Sequence, residues 1–218
     1  MELAELLRLF NEKYRAAVLS EFLITLGDEC QGLLGTPEAF PELLWMVETS
    51  MADIQMRWGV GLGRLVGPLE PTALGMDGPA FHNAREGIIT ARKTRALGGV
   101  FVGFGRPSNT LLNGFARVLH HERSSWSAPQ RHVIGHQRLI PSISIIAETL
   151  GLSRQDVSKK SLRAGGPAYL EGERAWKVLL AEFDMRDRWG RQPFPIMPTV
   201  PPAGRTPARS KSPRSAAE

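Results

Sequence analysis

Phe22-Leu23-Ile24-Thr25-Leu26-Gly27-Asp28-Glu29-Cys30-Gln31-Gly32-Leu33-Leu34 is two short apolar runs that meet at Gly-Asp. Gly at the first central position suits a two-residue hairpin turn of type II′, because that position needs φ > 0 and Gly has no Cβ to resist it. The stretch predicts a β-hairpin, and with it a sheet in the first half of the chain. Asp28 and Glu29 are expected at the tip or just inside the second strand. Carboxylates placed there either bind a divalent cation or simply face water.

The segments around the hairpin read as its packing partners. From Glu2 to Ser20, Leu3, Leu6, Leu7, Phe10, Tyr14, Ala17 and Val18 recur at helical spacing, with charges mostly on the other face, which predicts an amphipathic helix. Thr36-Pro37-Glu38 supplies an N-cap, a first-turn proline and an early acid for a second helix over 37–50. Gln55 to Gly63 alternates large residues with Gly or polar ones, as in a strand whose glycines admit another backbone. A phosphate-cradling loop is disfavoured there, since no Gly-Lys-Ser/Thr follows and no helix starts directly after it. Asp77-Gly78-Pro79 then opens a long helix ending near Gly98-Gly99, Val100 to Phe104 forms a short buried strand, and Ser108 to Glu122 a further helix. The expectation is an α+β fold with helices over a mainly antiparallel sheet.

The chain has 218 residues, of which 42% are hydrophobic, enough for a core of ordinary size in one or two domains. No window approaches the ~18 unbroken apolar residues of a membrane span, and the N-terminus lacks a secretory layout, so a cytoplasmic location and no membrane partner are expected. The single cysteine, Cys30, excludes an intrachain disulfide and a multi-cysteine metal site. Charge is uneven: residues 1–119 hold 11 Lys/Arg against 13 Asp/Glu, a net of −2, and residues 120–218 hold 16 against 9, a net of +7. That asymmetry points to a polyanion as partner of the C-terminal part.

From Ser127 onward no strand is expected, and helices are predicted at 129–139, 142–150, 154–163 and 167–183. Within them, Ile143 to Lys160 reads as a helix-turn-helix. Ala147 is the small residue where two helices cross, Gly151 ends the first of them, and Ile146, Leu150, Leu152 and Val157 lock the pair. Ser153 can cap the second helix. Arg154, Gln155, Ser158 and Lys159 would then lie on the face offered to a DNA major groove, with Lys160 and Arg163 able to reach phosphate. An apolar residue is expected four positions after Val157, where Ser161 stands, and Leu162 comes one place late. A shifted, shortened or degenerate second helix is therefore anticipated. The alternative is a helical pair used only to pack or dimerise.

Other candidates are weaker. His132 and His136 are four apart, but no third metal ligand is evident at helical spacing. His82-Asn83-Ala84-Arg85 sits where an anion could meet a helix N-terminus, or forms a solvated first turn. Residues 193–218 hold seven prolines and almost nothing to bury, and a disordered Pro/Arg-rich tail is expected over 191–218.

With these motifs in view, the chain resembles the SatD family, a bacterial group. The resemblance rests on Thr25-Leu-Gly-Asp-Glu-Cys-Gln-Gly-Leu-Leu34, Pro41-Glu-Leu-Leu-Trp45, Arg57-Trp-Gly-Val-Gly-Leu-Gly-Arg64, Leu74-Gly-Met-Asp-Gly-Pro-Ala-Phe-His82 and the helix-turn-helix, and covers about residues 1–175. It implies a ferredoxin-like domain over 1–122, similar to nucleotide cyclase and GGDEF domains, followed by a helix-turn-helix domain over 123–190. In such cyclases one metal-binding Asp stands on the first strand and another at the Gly-Asp hairpin, which Asp28 matches. The family's opening strand, with Gly-Asp-Ile-Val-Gly-Ser, is not in this sequence, so the domain is expected to be truncated or the start to lie upstream. Asp28 and Glu29 alone would hold Mg²⁺ weakly. The expected function is a DNA-binding transcription regulator whose cyclase-like part senses a nucleotide or other small anion, or forms a homodimer. A metal-dependent nucleotide-processing enzyme and a scaffold that binds no DNA are the alternatives.

Overall fold

The structure is a computed structural model that describes residues 2–183 apart from 28, 52, 53, 55, 96 and 97; the tail expected over 191–218 lies outside the described residues. Helix α1 (Leu3–Lys13) leads into the hairpin of β1 (Val18–Leu26) and β2 (Glu29–Leu34). A 3₁₀ turn (Pro37–Ala39) runs into α2 (Phe40–Ser50), then come β3 (Gly59–Gly61), α3 (Pro79–Thr94) and β4 (Val100–Val102). Five helices complete the described chain: α4 (Arg106–Ser125), α5 (Ala128–Gln137), α6 (Ile143–Leu150), α7 (Arg154–Arg163) and α8 (Gly166–Ala181). The fold is mixed α/β and mostly helical.

The hairpin forms where the sequence places it, with Leu26 paired to Glu29 and Gly27 at φ +60°. It is longer than its apolar runs, because the first helix stops at Lys13 and not at Ser20. Val18 to Ser20, the end of the expected helix, is drawn into β1 opposite Leu33 and Leu34, where β-branched Val18 is at home. Asn11 docks α1 on the strand, donating to the Phe22 carbonyl and accepting from its N–H, both at 2.9 Å. Phe22 lies across Gly32, whose missing Cβ would stand 2.2 Å from the ring, and meets Phe10 edge-on.

The expected single, mainly antiparallel sheet does not form among the described residues. β1 and β2 are antiparallel, but β3 and β4 are a separate parallel pair. The reason is the connection: α3 carries the chain from the end of β3 back to the start of β4, and strands joined by a helical crossover run parallel. The glycines of β3 are what let this unit close. A Cβ on Gly59 would stand 1.8 Å from the Ala84 carbonyl oxygen, and one on Gly61 2.0 Å from that of Ala80. On the helix, Gly87 answers in kind: a Cβ there would stand 2.9 Å from Gly59 Cα.

One core spans both halves of the chain. Phe40 of α2, Phe101 of β4 and Trp176 of α8 meet edge to face in all three pairings, with centroids 5.5–6.2 Å apart. Trp176 and Leu180 are fully buried there beside Leu7 and Phe10 of α1 and Leu43 and Leu44 of α2. Packing is continuous across residue 122. A smaller cluster of Val133, Ile146, Ala147 and Val157 binds α5, α6 and α7 together.

Beside the aromatic core runs a chain of buried ionic groups. Arg123 donates to both oxygens of Glu48 (2.6 and 3.2 Å) and to the Tyr169 hydroxyl (3.2 Å), and that hydroxyl donates to Glu173 (3.0 Å). Arg138 joins Glu173 (2.7 Å) to Glu42 (2.9 Å), and Lys177 also bonds Glu42 (2.5 Å). The two guanidiniums expose only 6% and 3% of their side chains, so α2, α4, α8 and the end of α5 are held by charges that water scarcely reaches. Burial alone would raise the Glu48 pKa, but the His120 hydrogen bond and the Arg123 charge outweigh it and hold it below the usual carboxylate range. Glu42 behaves likewise, burial being outweighed by Arg138 and Lys177. Burial and the Glu42 carboxylate push the Tyr14 phenol up to about 12.

Three outcomes follow. Gly59→Ala should destabilise by at least about 3 kcal/mol in denaturant titration, because two backbones must separate, while Gly114→Ala, with open space at its Cβ, should be neutral or stabilising by up to ~1 kcal/mol. Arg138→Ala should cost about 3–5 kcal/mol by leaving Glu173 buried without its partner. Because the pKa values of Glu42 and Glu48 are depressed in the folded state, their contribution is present above the unfolded value of about 4.3 and is lost as pH falls through the folded one. Unfolding free energy measured from neutral pH down to about pH 3 should therefore decline below about pH 4.5, and Glu48→Gln should flatten that decline.

Candidate functional site

Helices α6 and α7 are joined by the three-residue turn Gly151-Leu152-Ser153. The turn forms because Gly151 takes the left-handed conformation at φ +62°, which lets Leu152 N–H return to the Ala147 carbonyl at 2.8 Å and close the end of α6. Ser153 then starts α7, its Oγ accepting from Asp156 N–H (3.1 Å) and donating to the Asp156 carboxylate (2.7 Å). That hydroxyl bond comes first among the causes, before the nearby Lys160 and Lys159, that hold the Asp156 pKa below its ordinary value.

The inward side of α7 is Val157, Ser161 and Ala164, all buried. The anticipated shift of this helix does not occur. Ser161 occupies the slot for an apolar residue because α8 begins too close for anything larger: a Cβ on Gly166 would stand 2.6 Å from Ser161 Oγ. The buried hydroxyl is satisfied by donating to Gln137 Oε1 of α5 at 2.7 Å, and Leu162 is left pointing outward, 68% exposed.

The outward side brings together most of the residues singled out from sequence. Arg154, Gln155, Lys159 and Arg163 are exposed, whereas Ser158 and Lys160 are half-buried on the flanks. Ser153 is exposed but spends its hydroxyl on the cap. Among the described residues none of Arg154, Lys159, Lys160 and Arg163 pairs with a carboxylate. Four cationic side chains on one ten-residue helix, none in a salt bridge among the described residues, make a surface suited to a polyanion.

The hairpin tip is a different environment. Asp28 lies outside the described residues, and Glu29 pairs with Arg92 of α3 at 3.3 Å. Cys30 is half-buried, and burial pushes its thiol pKa up, away from thiolate chemistry. Among the described residues no group of three or more His, Cys, Asp and Glu side chains could hold a metal ion. At the start of α3, His82 meets Asp77 (2.8 Å), and Asn83 donates to the Leu62 carbonyl (2.7 Å). An acid and a structural amide thus occupy the place considered for an anion. His136 bonds through Nδ1 to the His132 carbonyl (2.8 Å), within its own helix. Among the described residues no helix is long and apolar enough to cross a membrane.

The buried ionic chain was missed from sequence, although a signal existed. Leu112, Ala116, Leu119 and Arg123 fall at one helical spacing on α4, and Tyr169, Glu173, Trp176 and Leu180 at the same spacing on α8. A charge standing on an apolar stripe marks a buried, paired ion.

No curated protein and no solved structure matches the chain. The model of the SatD family matches residues 1–140, from α1 through the end of α5, and stops before α6. That span holds the hairpin and the β3 glycines, which pack on the first turns of α3, and the chain belongs to the SatD family.

Proposed function

We propose that this protein is a cytoplasmic, DNA-binding transcription regulator in which α6 and α7 form a helix-turn-helix and α7 enters the major groove of duplex DNA. The observation that carries the reading is the outward face of α7. Arg154, Gln155 and Lys159 are exposed at its start and middle, where groove-reading side chains stand, with Lys160 and Arg163 on the flanks for phosphate. The capped turn and the buried Val157 and Ser161 support it by holding that face outward on a fixed base. The N-terminal part is read with it as a ferredoxin-like domain of the cyclase type that serves sensing or dimerisation.

Fluorescence anisotropy with a labelled duplex tests this. Affinity should fall with salt at a log–log slope of about −4, that of four or five neutralised phosphates. The Arg154→Ala, Lys159→Ala double variant should bind at least about tenfold more weakly with an unchanged thermal midpoint, since neither side chain forms a hydrogen bond or salt bridge among the described residues. Wild-type affinity in that variant would remove α7 from the interface.

A further inference from the structure

A cleft of about 530 Å³ lies between α2 and α5, lined by Trp45, Thr49, Arg131, His132, His136 and Leu139. Its volume falls within the range of small-molecule sites, roughly 300–1,000 Å³. The α5 residues Ala128, Arg131, His132, Gly135 and His136 share one face of that helix at three- and four-residue spacing, opposite the face that buries Val133 and Ile134, and Leu139 follows just beyond its end.

Three features of this face point to one kind of ligand. The first is a flat apolar wall held in place. Trp45 is fixed by the Arg138 guanidinium stacked 4.4 Å from its ring centroid and by Trp126 at 6.2 Å, and it abuts Gly135, where a Cβ would stand only 3.0 Å from the ring. Arg138 is itself locked between Glu42 and Glu173, so the indole needs no ordering when a ring settles on it. Leu139, 68% exposed, continues the apolar surface at the rim.

The second is uncompensated positive charge. Among the described residues no acid lines the cleft and Arg131 has no carboxylate partner, its one side-chain hydrogen bond being a long 3.4 Å contact to the Trp126 carbonyl. The third is the arrangement of the remaining polar atoms. Thr49 Oγ1 is spent on the Trp45 carbonyl at 2.6 Å and offers the cleft only its methyl group. The His132 carbonyl can only accept, so His136 Nδ1 is spent as a donor within its own helix, and Arg131 is left as the cationic donor of the cleft. A planar wall with a guanidinium at its edge, and no acid among the described lining residues to compete for it, matches a ring that bears an anionic group.

We infer that the α2–α5 cleft is a binding site for a small aromatic carboxylate, its ring against Trp45 and Leu139 and its anionic group on Arg131. The site is independent of α7 and of the DNA reading, because none of its residues belongs to that face.

Salicylate is a suitable probe, with salicylamide as its uncharged counterpart. Titrated into the ¹⁵N-labelled full chain, salicylate should move the Trp45 indole N–H signal, which a Trp45→Phe spectrum assigns among the five tryptophans. Salicylamide should bind at least about tenfold more weakly, the size of a charge-assisted contact. Arg131→Gln, and separately Leu139→Glu, which sets an acid at the rim, should each weaken salicylate by a similar factor with an unchanged thermal midpoint. Equal binding of the two probes, wild-type affinity in Arg131→Gln, or a Trp45 signal that stays still at millimolar salicylate would each overturn the inference.

Discussion

Arg123 and Arg138 must be paired wherever they are buried, and that requirement fixes the relation between the two halves of the chain. Removing a guanidinium from water costs several kcal/mol unless carboxylates and hydroxyls replace its hydration shell. Here the replacements come from far along the sequence: Glu42 and Glu48 on α2, Tyr169 and Glu173 on α8. Only one placement of α8 against α2 and α4 satisfies both guanidiniums and the Tyr169 hydroxyl between them. Apolar contacts such as Trp176 on Phe40 supply the larger share of burial but tolerate sliding; the ionic chain does not. Its three carboxylates and three cations alternate and cancel, so the assembly holds no net buried charge.

The same constraint gives the C-terminal helices a firm base. Trp126 at the end of α4 donates to the Ala164 carbonyl that closes α7 (2.8 Å) and packs on Tyr169 (4.7 Å), tying the foot of α7 to the ionic chain. Ser161 and Gln137 tie its last turn to α5. A helix supported at both points presents its outward side chains without having to order itself first, which favours binding whatever the partner.

Where local chemistry decided the outcome, the sequence was a good guide. Gly27 in a two-residue turn, Gly151 ending α6 and Ser153 capping α7 each act through their own backbone and near neighbours, and each does what its position predicts. The glycines of β3 announced a close backbone, and the helix whose backbone arrives is α3. The reading failed where distant residues competed. Val18 to Ser20 fit a helical stripe, yet pairing with Leu33 and Leu34 claims them for a strand. Ser161 looked like a fault in α7 because Gln137 and Gly166, the residues that suit it, lie 24 positions before it and five after it on other helices.

The sequence by itself determined the hairpin, the capped turn between α6 and α7, the cationic face of α7 and the family to which the chain belongs, because each is written in adjacent residues or in a one-turn spacing. Tertiary structure alone decided that β3 and β4 pair in parallel, that Glu29 meets Arg92, that Arg131 comes beside Trp45 with no acid partner among the described residues, and that α8 closes the core of the N-terminal part. These depend on which surfaces meet after some tens to over a hundred residues of intervening chain. A charge or a ring carries no mark of its eventual partner until desolvation forces the choice.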